Sequence, residues 1–163
     1  MRRKDLEITD YEVILDIMKK CDVCDVAFFD EEFPYIVPLN FGVVRNQDTF
    51  SLYFHGAGAG KKIDVLAKNN HVGFSMNCGH NLILDEKACE CTMEYESVCG
   101  NGIIESLNET DKMEAMIMIM KQYQDKDEYV FNEASMKHMA ILKLTVHEIT
   151  GKKLVHKVVV KRP

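Results

Sequence analysis

Apolar positions along this chain switch spacing several times, and each switch marks an element. Val13, Ile14, Ile17 and Met18 recur at helical intervals behind Thr9-Asp10-Tyr11-Glu12. That tetrapeptide reads as a capping box, with a hydroxyl at the cap and a carboxylate three residues on. A first helix over 10–20 is expected. Strand-like runs follow at 23–29, 35–44 and 50–55, separated by the turns DEEF and RNQD. Pro34 and Pro38 suit a strand start or a sheet edge. A short helix over 61–68 offers Ile63, Val65 and Leu66 for burial, and 72–76 reads as another strand. Residues 77–90, with glycine, asparagine and mixed charge, read as a surface loop. The run 94–105 predicts a long strand, in which Gly100 and Gly102 mark a bulge or a close backbone approach. Helices over 111–123 and 132–138 and a strand over 140–149 complete the series.

This order is not the alternation of a parallel α/β sheet. It predicts a mainly β (α+β) fold, a six-stranded antiparallel barrel with peripheral helices. Side chains fill a barrel of this size, so a ligand must sit outside it, in a surface cleft or at a subunit contact. No internal repeat or linker interrupts the pattern. Residues 1–152 are expected to form one domain, and 153–163 an extended tail or a vector-derived end.

Composition narrows the partners. The chain has 163 residues, 47% hydrophobic and 28% charged, with a formal charge of −6. That balance fits a packed domain and argues against nucleic acid, which needs a basic surface. No apolar run is long enough for a membrane span. The opening MRRKDLEITD turns polar at once, unlike a signal peptide. A cytoplasmic location is the expectation, with Cys21, Cys24, Cys78, Cys89, Cys91 and Cys99 mostly reduced.

Candidate chemistry centres on His55-Gly56-Ala57-Gly58-Ala59-Gly60-Lys61-Lys62. Glycines let backbone amides converge on an anion, a helix start adds partial positive charge, and two lysines add full charges. The spacing fits neither a Walker A loop nor a dinucleotide fingerprint. On its own the segment is a phosphate cradle or a solvated turn. His55 is a possible proton carrier or a hydrogen-bonded structural residue. Cys21-Asp22-Val23-Cys24 has the spacing of zinc ligands and redox dithiols, but no second such pair exists. His71, His80, His138, His147 and His156 are scattered. The methionines of 111–123 surround their helix and read as adaptable core filler.

Three segments together resemble the flavin-binding split-barrel superfamily of pyridoxamine 5′-phosphate oxidase, and most closely its 5-nitroimidazole-resistance branch. They are Pro34-Tyr35-Ile36-Val37-Pro38-Leu39-Asn40-Phe41-Gly42, then Tyr53-Phe54-His55-Gly56-Ala57 with Gly60-Lys61-Lys62, and finally Thr92-Met93 through Tyr95, Ser97, Val98, Gly100 and Gly102. Ile149-Thr150-Gly151-Lys152 is similar to the family's closing segment. The resemblance implies a homodimeric split barrel with FMN in two clefts at the interface. Val37, Pro38, Leu39, Asn40 and Phe41 would lie along the flavin ring. His55, Gly56, Ala57, Gly60, Lys61 and Lys62 would line the phosphate site. Tyr95, Ser97 and Val98 would approach from the later strand, and His55 would handle substrate or protons. Where many relatives use arginine in the phosphate loop, two lysines stand here, giving point charges rather than a fork. The implied activity is an oxidoreductase passing electrons from NAD(P)H through FMN to a small acceptor such as a nitroaromatic. A non-catalytic flavin- or haem-binding protein on the same fold is the alternative.

Overall fold

The computed structural model describes residues 3–155, apart from residue 125. A single turn of 3-10 helix, Lys4–Leu6, leads into β1 (Glu7–Ile8) and α1 (Tyr11–Lys20). There follow β2 (Cys24–Phe28), β3 (Tyr35–Leu39), β4 (Phe41–Asn46), β5 (Thr49–Ala57), α2 (Lys61–Lys68) and β6 (His71–Ile83). The chain continues through β7 (Thr92–Ser106), α3 (Glu109–Tyr123), α4 (Glu133–Lys137) and β8 (Met139–Leu154). The strands form one antiparallel sheet in the order β3-β2-β6-β7-β8-β5-β4, with β1 added alongside β8.

The expected α+β split-barrel class holds, but with eight strands rather than six. The apolar run 35–44 is two strands, because the chain corners at Asn40 and its halves pair at opposite ends of the sheet. β1 is the second addition, too short to carry a periodic signal. The expected loop over 77–90 is partly strand. β6 runs on to Ile83 through a register break between Cys78 and Asn81, where Gly79 takes φ +67°. The cap of α1 is Asp10 rather than Thr9, and its carboxylate accepts the amides of Glu12 at 2.8 Å and Val13 at 3.4 Å. β8 carries through Lys153 and Leu154; residues 156–163, where most of the expected tail falls, lie outside the described residues.

Alternation decides the interior. Phe50, Leu52 and Phe54 of β5, Val26 and Phe28 of β2, and Phe74 and Met76 of β6 point inward and are buried. Ile14, Ile17 and Met18 of α1 close one side of this core. The outer face of β5 is covered separately: Tyr53 packs with Ala115, Met116 and Ile119 of α3 and with Ile141 of β8. α3 comes so close to β4 that a Cβ on Gly42 would lie 2.6 Å from the backbone of Met118. The expected glycine approaches in β7 are present too, with a bulge between Asn101 and Gly102.

Candidate functional site

His55 follows the inward Phe54 and so turns to the opposite face of β5, half-buried and paired across the ladder with Ile141. Gly56 and Ala57 end the strand against Ala140 and Met139, and the Gly58 amide donates to the His138 carbonyl at 3.3 Å. Gly60 then turns the chain at φ +113°, a conformation glycine adopts without a Cβ penalty, and α2 begins. The Gly60 carbonyl accepts the amides of Ile63 at 2.8 Å and Asp64 at 3.2 Å. No side chain caps this end, so the earliest amides of α2 face outward for an outside acceptor.

The two lysines at this corner part company. Lys61 reaches back to the β2–β3 turn, where its ammonium pairs with Asp30 at 2.7 Å and lies 4.8 Å from the Tyr35 ring centroid. The Asp30 carboxylate raises its pKa. Lys62 instead folds over Gly56, and a Cβ there would come within 2.3 Å of its Nζ. Lys62 is half-buried with no carboxylate partner among the described residues, and burial lowers its pKa. The His55 imidazole is lowered as well, first by burial and then by the Lys62 charge. Both groups bear the cost of lost hydration with no acidic partner among the described residues to offset it, which is the environment a phosphate would complete. The cradle over Gly56, the uncapped helix and Lys62 therefore fit a phosphate, with Lys61 bracing α2 instead of sharing the anion equally.

The remaining expected site residues are dispersed. Lys61's contact with Tyr35 sets the start of β3 beside the loop, and Tyr35–Leu39 runs away from it. Val37 and Leu39 pack toward the core, whereas Ile36 and Pro38 face outward and are exposed. Asn40 and Phe41 are engaged elsewhere. The Tyr123 hydroxyl accepts the Phe41 amide at 2.9 Å and the Asn40 amide nitrogen at 3.3 Å, and donates to the Asp22 carbonyl at 2.9 Å. Phe41 and Val98 have fully buried side chains, so neither side chain can meet an external ring.

Tyr95, Ser97 and Val98 lie opposite Leu154, Lys152 and Gly151, whereas the far end of β7 meets β8 near His55's partner, with Ser106 opposite Leu142. Eight residues of strand separate Val98 from Ser106, about 26 Å at roughly 3.3 Å per residue. One chain therefore does not bring this trio to the His55 loop. From the sequence, Asp30 of the DEEF turn reads as solvated charge, and Tyr123 carries no signal of a site role. Their partners are 31 and 82 residues away, and only the fold announces such contacts.

Among the described residues no three His, Cys, Asp or Glu side chains are grouped to hold a metal, and no helix is long and apolar enough to cross a membrane.

Comparison with known proteins follows the same lines. The family model described as pyridoxamine 5′-phosphate oxidase matches residues 10–153. A crystal structure of a proposed 5-nitroimidazole antibiotic resistance protein from Bacteroides thetaiotaomicron is 32% identical, with a TM-score of 0.77 over 91% of this chain and 86% of that one. The flavocytochrome Anf3 from Azotobacter vinelandii is 19% identical, with a TM-score of 0.79 over 96% and 72%. The FAD and heme binding protein from Mycobacterium smegmatis is 17% identical, with a TM-score of 0.79 over 92% and 74%. The last two share the fold. No curated protein matches the chain.

Proposed function

Since this chain belongs to the pyridoxamine 5′-phosphate oxidase family, we propose that it is an FMN-binding flavoprotein that passes electrons from a nicotinamide donor to a small acceptor such as a nitroaromatic. The observation that carries this reading is Lys62, a half-buried ammonium folded over Gly56 and short of an anion. Lys62 and the first amides of α2 hold the phosphate. Ala57 and Gly60 leave room for the ribityl chain to approach the backbone. The exposed outer side of β3, at Ile36 and Pro38, flanks the ring. Bound flavin supplies hydride and electron transfer, and the protein supplies position and electrostatics.

His55 stands next to the phosphate corner with its proton affinity lowered, so near neutral pH it is a base ready to accept a proton. Arrival of a phosphate offsets the Lys62 charge and raises that affinity, so cofactor binding itself tunes His55. The separation of Tyr95, Ser97 and Val98 from the loop supports a homodimer in which a second copy brings that segment to the cofactor. The 32% identical protein from B. thetaiotaomicron supports a nitroaromatic acceptor.

The experiment is an absorbance titration of the purified protein with FMN, followed by anaerobic addition of NADH or NADPH. A flavin band near about 450 nm that sharpens on binding and bleaches with the donor is expected. A protein that binds FMN but never bleaches is a flavin carrier. A protein that leaves the FMN spectrum and fluorescence unchanged overturns the reading.

A further inference from the structure

The Cys21-x-x-Cys24 spacing suggests a pair within the motif, but the fold gives Cys21 a different neighbour. Cys21 closes α1, and its thiol donates to the Ile17 carbonyl at 3.3 Å. Cys78 lies on the inward face of β6, 57 residues further along, and its thiol points to the same carbonyl at 3.9 Å. The two sulfurs thus converge on one carbonyl oxygen, at 3.3 and 3.9 Å. Cys24 lies deeper, fully buried at the start of β2.

Three features make this pair more than a core contact. Cys21 is buried but Cys78 is only partly so, which makes Cys78 the more accessible of the two. Cys78 sits at the register break of β6, next to Gly79 at φ +67°, where the ladder is already interrupted and the backbone can shift. Polar groups also surround it. The buried Glu96 carboxylate lies 3.9 Å from the Cys78 sulfur, and Lys20 pairs with Glu96 at 2.7 Å.

We propose that Cys21 and Cys78 are a disulfide-forming pair, a modification site that ties the end of α1 to β6 when a peroxide is present. Cys78 reacts first: its thiolate sulfur attacks one peroxide oxygen, an S–O bond forms, the O–O bond breaks, and the other oxygen leaves as hydroxide, which takes up the proton the Cys78 thiol had released and becomes water. The Cys21 sulfur then attacks the Cys78 sulfenic acid, an S–S bond forms, and the S–O bond breaks. The Cys21 proton goes to the departing oxygen, which leaves as a second water. Two thiols and one hydrogen peroxide thus give one disulfide and two waters. Burial raises the Cys21 thiol to about 12. Burial raises Cys78 too, and the Glu96 carboxylate adds to that while the Lys20 charge opposes it, so it is the greater exposure of Cys78 that makes it the attacking sulfur.

The test is hydrogen peroxide treatment of the full chain, alkylation of remaining thiols, proteolysis and mass spectrometry. The expected product is a linked peptide containing Cys21 and Cys78, lighter by two hydrogens than its parts and separated by dithiothreitol. It should persist when Cys89, Cys91 and Cys99 are all changed to Ser, and vanish in Cys78→Ser. The oxidised wild type should also melt higher than the reduced form, because closing a long loop constrains the unfolded chain. A Cys21–Cys24 link overturns the proposal. So does a Cys78 that stays fully alkylatable after the exposed Cys89 and Cys99 have been oxidised. Both of these results are read on the wild-type chain, so neither depends on a variant that folds.

Discussion

Substituting the two adjacent lysines one at a time separates a phosphate ligand from a structural brace. In Lys62→Ala the half-buried ammonium over Gly56 is lost, and among the described residues no carboxylate pairs with it whose release could compensate. A charge-assisted hydrogen bond to a phosphate oxygen contributes about 1.5–3 kcal/mol. At 1.4 kcal/mol per decade, the dissociation constant for FMN should rise roughly ten- to hundredfold. Riboflavin has the same ring and no phosphate, so its affinity should barely change. Lys61→Ala should behave differently, since that ammonium is exposed and held by Asp30 at 2.7 Å. It should loosen the α2 corner and leave FMN affinity within a few-fold of wild type. The assay is quenching of flavin fluorescence, with both flavins and both variants at one ionic strength. Equal losses for the two lysines, or equal losses for FMN and riboflavin in Lys62→Ala, would refute the assignment of the phosphate to Lys62.

Three further perturbations test the surroundings. Gly42→Ala places a Cβ 2.6 Å from the Met118 backbone, which cannot rotate away as a side chain can. It should cost about 2–3 kcal/mol, or roughly 5–10 °C in a thermal melt, and an unchanged melt contradicts the α3–β4 packing. Tyr123→Phe removes the hydroxyl that joins Asp22, Asn40 and Phe41; a loss of about 1 kcal/mol in urea unfolding is expected, and none would show that water replaces it. His55 should titrate below its ordinary 6.5 by NMR and move partway back in Lys62→Ala, because burial, the larger cause, persists. A folded-state pKa depressed in this way means that the histidine's contribution to stability is present above 6.5 and is lost as pH falls through the folded value. A midpoint unaffected by Lys62→Ala would show the two side chains do not sense each other.

The helices were legible wherever local signals sufficed. α2 begins and ends where its amphipathic spacing and the glycines before it predict, and α1 errs only by placing the cap on Thr9 when the neighbouring Asp10 accepts the amides. The strand count failed for a non-local reason. Nothing in the apolar run 35–44 reveals that Asn40 is a corner, because what fixes the corner is a hydroxyl on Tyr123 and a carbonyl on Asp22. The long β6 was missed because Asn77, Cys78, Gly79 and His80 lack a strand's alternation, and pairing with β7 carries them nonetheless. At the candidate site, the glycines and the dibasic step drew the eye to one corner, yet adjacent residues on a helix point about 100° apart, which no motif spells out. That is how Lys61 comes to Asp30 and Lys62 to Gly56. Phe41 and Val98 belonged to a recognisable segment, but alternation turns their side chains into the core.

The most direct measurement is the crystal structure of the protein with FMN bound. The account predicts the phosphate at the start of α2, within hydrogen-bond reach of Lys62 Nζ and the first helical amides, with Lys61 still on Asp30. A phosphate at any other place on the chain, with Lys62 still over Gly56 and without an anion, would contradict it.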